Sequence, residues 1–291
     1  MSRSFLFVPG DSEQKLAKAE HVGADALIID LEDSVQPEAR PTARGLACEF
    51  LTKEHAADVW VRINALDSVD ALEDLRSVMP SQPGGIVLPK PEGARDVNQL
   101  SMLVDVLEQE NNIEPGRTAL LPIVTERPIA MFHLHEYAAA TPRLSGLAWG
   151  AEDLSAAVGA LANRDADGNW LPPYELARSL TLFAAAASDV VAIDTVYTDF
   201  RDLDGLAQYA TAARRDGFAG MLAIHPDQVA VINAAFLPTE TEIARARKIV
   251  KLFSDNPEAG TLGMDGEMID RPHLVQAERI LERAASIDRK S

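Results

Sequence analysis

The sequence has 291 residues, of which 47% are hydrophobic and 25% are charged. This is the composition of a soluble globular protein, and it excludes the disordered and low-complexity classes. The chain has 27 Lys and Arg residues against 45 Asp and Glu residues, a formal net charge of −18. Such a charge repels phosphate backbones, so we do not expect general nucleic-acid binding.

Cysteine usage and hydropathy indicate the compartment. Cys48 is the only cysteine, so an intramolecular disulfide cannot form, and a reducing compartment is expected. The apolar run in the amino-terminal segment MSRSFLFVPGD is too short for the core of a signal peptide. No stretch approaches the ~18 consecutive apolar residues of a membrane span. We therefore expect a cytoplasmic protein without a membrane partner.

Eight short apolar runs predict β-strands. They are rich in Val, Ile and Leu and lack clean alternation, as is typical of strands that are buried on both faces. In chain order they are Ser4–Val8, Ala26–Asp30, Val59–Ile63, Gly85–Leu88, Ala119–Val124, Leu144–Trp149, Val190–Ile193 and Gly220–Ile224.

Segments with helical spacing separate most of these runs. The clearest is Asp96–Glu110, which places Val97, Leu100, Leu103, Val104 and Leu107 on one stripe. Eight strands that alternate with helices predict a (β/α)8 TIM barrel over residues 1–235. An open doubly wound sheet is the alternative, but no G-x-G-x-x-G turn follows the first strand.

The chain continues for over 60 residues after the eighth predicted strand. Glu240–Phe253 and His273–Ala285 have helical patterns, and the Gly-rich stretch GTLGMDGEMIDRPH lies between them. We expect residues 236–291 to form a C-terminal helical extension that packs on a neighbouring subunit. A homo-oligomer, either a trimer or a hexamer, is therefore predicted.

Charged residues are concentrated at the ends of the predicted strands. In a parallel barrel these positions share the C-terminal face, where active sites form. Six of the ten polar residues there are carboxylates, so a cation is needed to neutralise them. Oxygen ligands without clustered Cys or His favour Mg²⁺ over zinc. The ten are Glu32, Asp33, Arg62, Asn64, Lys90, Glu126, Glu152, Asp153, Asp194 and His225.

Glu126 and Asp153 are the expected Mg²⁺ ligands among these carboxylates. Mg²⁺ usually takes one or two carboxylates and leaves the other positions to water and substrate oxygens. Glu32 and Asp33 are expected to hold metal-bound water. The alternative for Asp153, in GAEDLSAAV, is a simple N-cap of the next helix.

Two basic residues belong to the same predicted face. Arg62, in VRIN, ends a buried strand, where an unpaired charge is costly. It either forms a buried salt bridge with a rim carboxylate or grips a substrate carboxylate or a developing enolate oxygen. Lys90, in LPKPEG, is either a surface lysine or one that faces a phosphate.

Nine segments in this order resemble the citrate lyase beta-subunit-like group of the HpcH/HpaI aldolase superfamily, which includes malyl-CoA and citramalyl-CoA lyases. They run from Arg3 to about Leu281, nearly the whole chain. The segments are RSFLFVPG, DLEDSV, VRIN, LPKPEG, TE, GAEDLSA, IDTVY, IHPDQ and GEMIDRPH.

The resemblance implies an activity and a set of site residues. The expected reaction is the Mg²⁺-dependent cleavage of a 3-hydroxyacyl-CoA, of the malyl-CoA or citramalyl-CoA type, to a 2-oxo acid and acetyl-CoA, or the reverse condensation. Glu126 and Asp153 match the family's Mg²⁺ ligands, and Glu126 thereby also contacts the substrate. Arg62 matches the catalytic arginine that contacts the substrate and stabilises the thioester enolate.

Further positions match less conserved parts of the family site. Asp270 matches an acid–base aspartate that reaches a neighbouring subunit's site. Arg3 and Lys90 match positions that line the substrate and CoA end of the pocket. Met221, in GFAGMLAIHP, stands where the family often has a basic residue, which bears on how CoA would be held. The tail with GEMIDRPH favours a stand-alone enzyme over a subunit of a citrate lyase complex.

Two alternatives remain open at the level of sequence. One is an aldolase of the same superfamily that acts on free 2-oxo acids without CoA. The other is a non-catalytic metabolite-binding protein, which the presence of Glu126, Asp153 and Arg62 disfavours because loss of such a residue would be expected there.

Overall fold

The computed structural model describes residues 2–288. It divides into two compact units, Ser2–Ala235 and the segment that starts at Phe236, and each is described by itself.

Eight parallel strands form one sheet within the described part of the first unit. The sheet order is β5-β4-β3-β2-β1-β8-β7-β6. Between the two ends of this order, the Leu120 amide donates to the Arg143 carbonyl at 2.9 Å and the Val124 amide donates to the Ala148 carbonyl at 2.8 Å. The ring therefore closes, which confirms the predicted barrel. The strands are β1 (Ser4–Pro9), β2 (Ala26–Asp30), β3 (Asp58–Arg62), β4 (Gly85–Leu88), β5 (Ala119–Pro122), β6 (Gly146–Ala148), β7 (Val191–Asp194) and β8 (Gly220–Ala223).

Helices cover the outside of the barrel. On α4, four of the five residues of the predicted apolar stripe are buried and Leu103 is half-buried. Two 3-10 helices, Pro128–Phe132 and Leu134–Ala139, follow β5 in place of an α-helix. The α-helices of this unit are α1 (Glu13–Ala19), α2 (Arg40–Leu51), α3 (Ala71–Val78), α4 (Ala94–Glu110), α5 (Glu152–Val158), α6 (Pro172–Ala187), α7 (Leu203–Asp216) and α8 (Pro226–Ala235).

Apolar side chains fill the barrel interior. Phe5, Ile28, Val87 and Ile193 belong to one buried cluster there. At Gly85 the ring of Trp60 takes the space of a side chain, because a Cβ would lie 2.2 Å from its Cζ3 atom. The interior is therefore a packed core, and the polar groups of the site lie beyond the carboxyl ends of the strands.

The second unit contains two helices and a hairpin. Helix α9 (Glu240–Asp255) begins at a capping box formed by Thr239 and Glu242. The antiparallel strands β9 (Thr261–Met264) and β10 (Glu267–Asp270) follow, and then α10 (Arg271–Asp288). The two predicted helices of the extension are confirmed, and the Gly-rich stretch between them forms the hairpin. Its two-residue turn, Asp265-Gly266, has φ values of 52° and 85°, as a tight hairpin requires.

Apolar residues on the inner faces of α9, α10 and the hairpin hold this unit together. Ile249, Phe253, Ile269 and Ala277 form its buried cluster. Throughout residues 2–288, helices that combine the length and the apolar character needed to cross a bilayer are absent.

Candidate active site

The carboxyl ends of five consecutive strands bring the predicted charged residues together. Asp30 and Arg62 end β2 and β3, Lys90 follows β4, Glu126 follows β5, and Asp153 lies in the first turn of α5, after β6. All of them except Lys90 line a cavity of about 380 Å³. A larger depression of about 550 Å³ lies along α4, beside Met102, but these charged side chains do not line it. We therefore place the site at the smaller cavity.

Arg62 is held in one orientation by Asp30. Its Nε donates to Asp30 Oδ1 and its Nη2 donates to Asp30 Oδ2, both at 2.7 Å. The guanidinium carbon also lies 4.6 Å from the centre of the Phe7 ring. Burial raises the pKa of Asp30, but the charge and hydrogen bonds of Arg62 outweigh it and the net pKa is lowered. Arg62 therefore forms the buried salt bridge and lines the cavity as well.

Glu126 is a buried carboxyl group that faces other acids. It is 4% exposed, and the backbone N–H of Lys90 donates to its Oε2 at 2.5 Å. Burial raises its pKa to about 8, and the negative charges of Asp153 and Glu32 add to the shift. Gly150 makes room for it, because a Cβ there would lie 2.8 Å from Glu126 Cγ.

Glu32 has one oxygen paired and one oxygen without a hydrogen bond. Its Oε1 accepts from Lys90 Nζ at 2.5 Å. Its buried Oε2 lies 3.2 Å from Arg62 Nη1 but accepts no hydrogen bond from any residue that the structure describes. Burial raises the pKa of Glu32, against the opposing charges of Arg62 and Lys90. This buried oxygen is therefore ion-paired with Arg62 but accepts no hydrogen bond from the described residues.

Lys90 lies among the rim carboxylates, so neither the surface nor the phosphate-facing interpretation describes its contacts. Its Nζ is 3.0 Å from both carboxylate oxygens of Asp33 and 3.6 Å from Asp153 Oδ1. Burial lowers the pKa of Lys90, but its carboxylate partners outweigh this and raise it overall. The ammonium group is therefore charged in this position.

Asp153 faces the cavity from the first turn of α5. The N-cap of that helix is Ala151, and no side chain in the described part of the chain caps it. The capping alternative for Asp153 is thus not observed. Its side chain is 38% exposed, which leaves its carboxylate open to solvent or a ligand.

The donor set fits Mg²⁺. Glu126 and Asp153 are hard oxygen donors on one cavity. Within residues 2–288, no three His, Cys, Asp or Glu side chains converge to hold a metal by themselves. Mg²⁺ typically binds one or two protein carboxylates and takes water and substrate oxygens as its other ligands, whereas zinc favours three or four protein ligands.

Trp149 lines the cavity, and a hydrogen bond to a buried carboxylate fixes its indole ring. Its indole N–H donates to the buried Asp194 Oδ1 at 2.7 Å. Arg178 Nη2 donates to Asp194 Oδ2 at 2.8 Å, and the Tyr209 hydroxyl donates to Oδ1 at 2.9 Å. Asp194 thus supports the site from within the protein. Arg178 and Tyr209 lie on helices, outside the strand ends that the sequence analysis searched.

Arg3 is not among the described residues that line this cavity, so its role in substrate binding stays a prediction. It precedes β1, and its Nε and Nη2 donate to the two oxygens of Asp25 at 2.7 and 2.8 Å. A residue before a strand lies at the amino-terminal face of a parallel barrel, opposite the site. Met221 also lies towards that face, because it is fully buried in β8 and pairs with Ser4. The residue after β8, Ile224, lines the cavity instead.

Asp270 belongs to the second unit, at the end of β10. Its carboxylate is hydrogen-bonded to Nδ1 of His273, one turn into α10. This contact lies within the second unit.

Known proteins are similar to this chain over most of its length. The model of the family described as HpcH/HpaI aldolase/citrate lyase matches residues 3–226. The citrate lyase subunit beta-like protein of Mycobacterium tuberculosis is 35% identical over 280 residues, which cover 96% of this chain and 94% of that protein. The mitochondrial citramalyl-CoA lyase of Rattus norvegicus is 31% identical over 300 residues, which cover 99% of this chain and 87% of that protein.

A solved structure extends the similarity to three dimensions. Protein CitE from Mycobacterium tuberculosis, in complex with magnesium, acetoacetate and coenzyme A, has a TM-score of 0.81 and 33% identity to this chain, over 98% of both chains. On the sequence match and the barrel together, this chain belongs to the HpcH/HpaI aldolase/citrate lyase family.

Proposed function

We propose that this lyase uses Mg²⁺ to cleave a 3-hydroxyacyl-CoA of the malyl-CoA or citramalyl-CoA type into a 2-oxo acid and acetyl-CoA, or to run the reverse condensation. The observation that carries the proposal is a fixed guanidinium, Arg62, that lines the same cavity as the carboxylates Glu126 and Asp153. With this pairing, a cationic group and a metal-binding group would act on the same substrate. The mitochondrial citramalyl-CoA lyase of the rat and the coenzyme A complex of CitE support the choice of a thioester.

Glu126 and Asp153 would hold the Mg²⁺ ion, with Glu32 and Asp33 accepting hydrogen bonds from its water. When bound, Mg²⁺ supplies Lewis-acid polarisation of the substrate's carboxylate and carbinol oxygens. Burial and the charges of Asp153 and Glu32 raise the pKa of Glu126, and a bound cation would oppose this shift by favouring the ionised carboxylate.

Arg62 would stabilise the charge that develops during bond cleavage. The carbinol O–H loses its proton, the bond between the carbinol carbon and the thioester α-carbon breaks, and its electron pair forms the thioester enolate. Arg62 donates to the enolate oxygen, where the negative charge appears. The bidentate contact with Asp30 keeps this donor in position without a rearrangement during the reaction.

A proton must also leave the carbinol and reach the enolate carbon. Asp270, supplied by a neighbouring copy of the chain in a homo-oligomer, is the acid–base group we assign to this step. Its hydrogen bond to His273 gives it a partner that can accept or return a proton.

The cavity volume suits the acyl end of such a substrate. At about 380 Å³ it accommodates a four- or five-carbon acid, whereas the nucleotide part of CoA would remain outside it. Met221 does not alter this assignment, because its buried side chain lies away from the cavity.

The test is an assay of purified protein with malyl-CoA and citramalyl-CoA, each with MgCl2 or with EDTA. We expect Mg²⁺-dependent release of acetyl-CoA together with glyoxylate or pyruvate. Asp153→Ala should lower kcat/KM at least about 100-fold while the melting temperature stays close to that of the wild type. Glu110→Ala, which removes an exposed carboxylate at the far end of α4, is the matched control.

Other outcomes separate the alternatives. Cleavage of free 2-oxo-acid aldols, with no turnover of either thioester, would assign the chain to the free-acid aldolases. Binding of a 2-oxo acid without any turnover would indicate a metabolite-binding protein. Turnover that persists in EDTA, or that survives Asp153→Ala, would refute the metal assignment.

A further inference from the structure

Lys90 has a constrained backbone directly after β4. It stands between Pro89 and Pro91, and its φ of 54° lies in the left-handed region that residues with side chains rarely adopt. In this conformation its N–H donates to Glu126 Oε2, while its side chain extends in the direction of Glu32. One residue therefore binds a proposed metal ligand through its backbone and the neighbouring carboxylates through its ammonium.

The Lys90 ammonium contacts three carboxylates at once. Its Nζ lies 2.5 Å from Glu32 Oε1, 3.0 Å from both oxygens of Asp33 and 3.6 Å from Asp153 Oδ1. The contacts with Glu32 and Asp33 are hydrogen bonds, whereas the 3.6 Å contact with Asp153 is an ion pair beyond hydrogen-bond distance. Of the three carboxylates, Asp153 is a proposed metal ligand. Glu32 and Asp33 are not proposed to bind the metal directly.

Lys90 neutralises carboxylates at the rim that Arg62 does not contact. The two strongest contacts of Arg62 go to Asp30, and its further contact goes to Glu32. Lys90 is then the cation that faces Asp33 and Asp153 in the described site. Without it, several carboxylates would face one another across a partly buried cavity, which is unfavourable.

A divalent cation bound to Asp153 would meet this ammonium as a like charge. The distance of 3.6 Å from Nζ to a ligand oxygen puts the two cations within a few ångströms of each other, where screening by salt is weak. Lysine is a compact charge on a flexible stem, so its head can withdraw when another cation arrives.

We propose that the Lys90 ammonium is a built-in counter-ion that competes with Mg²⁺ for Asp153, so that it stabilises the metal-free protein and weakens metal binding. The inference rests on the proposed function, because it takes Asp153 and Glu126 as the metal ligands. It makes Lys90 a positioning residue that tunes metal affinity, in place of a residue that binds CoA phosphate.

Lys90→Met tests the inference, because methionine keeps an unbranched side chain and removes the charge. Mg²⁺ binding is measured by titration calorimetry without substrate, and the melting temperature is measured in EDTA. We expect the variant to bind Mg²⁺ roughly tenfold more tightly, as removal of one nearby cation predicts. We also expect its metal-free melting temperature to fall by several degrees. Lys90→Arg keeps the charge and should stay near the wild type in both measurements.

Lys53→Met is the matched control, since it removes an exposed lysine that lies outside the site, beside Phe50. It should leave Mg²⁺ affinity unchanged. If Lys90→Met does not fold, Lys90→Gln removes the same charge and keeps a hydrogen-bond donor for Glu32, and its Mg²⁺ affinity decides the question.

The outcomes distinguish this inference from the proposed function. Wild-type protein that binds no Mg²⁺ at millimolar concentration would overturn the metal assignment and this inference with it. Wild-type binding together with unchanged or weaker binding in the Lys90 variants would overturn the counter-ion role alone.

Discussion

Gly150 passes so close to Glu126 that the two residues determine each other's conformation. A Cβ at position 150 would lie 2.8 Å from Glu126 Cγ and 3.3 Å from its Oε1. We therefore expect Gly150→Ala to displace the Glu126 carboxylate and to lower kcat/KM at least about tenfold, since an error of about 1 Å in a catalytic group has effects of this order. Steady-state kinetics and Mg²⁺ titration of the purified variant would measure the change.

Gly45→Ala provides the control for that substitution. Gly45 is exposed in the middle of α2, and a Cβ there meets nothing within 4 Å in the described chain. Alanine at this position should raise the free energy of unfolding by about 0.5–1 kcal/mol and leave the kinetics unchanged. Equal loss of activity in both variants would show that the close approach at Gly150 has no special role.

The orientation of Arg62 leads to a second prediction. Arg62→Lys keeps the charge but cannot reproduce the two parallel hydrogen bonds to Asp30 at 2.7 Å. We expect kcat to fall about 100-fold, as for the loss of a fixed donor to a developing oxyanion, while KM changes much less. A variant with wild-type kcat would exclude the enolate role of Arg62. Its melting temperature should be compared as well, because Asp30 is buried.

For individual residues, the sequence predicted which charged side chains share one face of the barrel but not which of them form ion pairs. The position of Glu126, Asp153, Arg62 and Lys90 after successive strands was enough to predict that they share one face. The sequence could not show that Lys90 contacts Glu32 and Asp33, because this depends on its left-handed backbone. Arg3 precedes β1, and barrel geometry places such a residue at the face opposite the strand ends, which the motif resemblance alone did not indicate.

Helix α4 is attached to the barrel by a buried ion pair that has its own pH dependence. Glu108 accepts hydrogen bonds from the amides of Gly116 and Thr118, each at 2.8 Å. Arg143 Nη1 donates to Glu108 Oε1 at 2.8 Å. Burial raises the pKa of Glu108, but these donors outweigh it and hold the pKa at about 2. The contacts connect the end of α4 to the segments that precede β5 and β6.

Glu108→Gln should therefore destabilise the protein in a pH-dependent way. Because the folded-state pKa is below the usual value near 4.5, the ionised carboxylate stabilises the fold fully above pH 4.5, and this contribution disappears as the pH falls from there to about 2. We expect a loss of about 3 kcal/mol in urea unfolding at pH 7, and a much smaller difference from the wild type at pH 3. Glu110→Gln, an exposed neighbour on the same helix, should show little effect at either pH. A difference that is equal at both pH values would contradict the assignment.

Elements buried on both faces were the easiest to predict. The runs Ala26–Asp30 and Gly85–Leu88 coincide with β2 and β4, because strands within a barrel must be apolar throughout. The stretch after β5 lacked such a signal, and its 3-10 helices were not predicted. The β9–β10 hairpin was also missed, although Asp265-Gly266 is a dipeptide that favours tight hairpin turns.

At the scale of the whole molecule, the chain separates the proposed metal ligands from the proposed acid–base group. Glu126, Asp153 and Arg62 belong to the barrel, whereas Asp270 belongs to the C-terminal unit. The sequence suggests that this unit serves a neighbouring subunit. If so, each site is built from two chains, and a single chain is incomplete as a catalyst.

Complementation between two inactive variants tests this directly. Asp153→Ala removes a barrel ligand and Asp270→Asn removes the acid–base group, so each homo-oligomer should be nearly inactive. In a 1:1 co-expressed mixture, half of the barrels are intact and half of the partners carry Asp270, so random assembly should restore about a quarter of the wild-type activity per site. The co-expressed mixture would be assayed without separating its species and compared with each parent, and two different affinity tags would show that mixed oligomers form. If Asp270 acted on the barrel of its own chain, no site in the mixture would hold both groups, and activity would stay at the level of the parents.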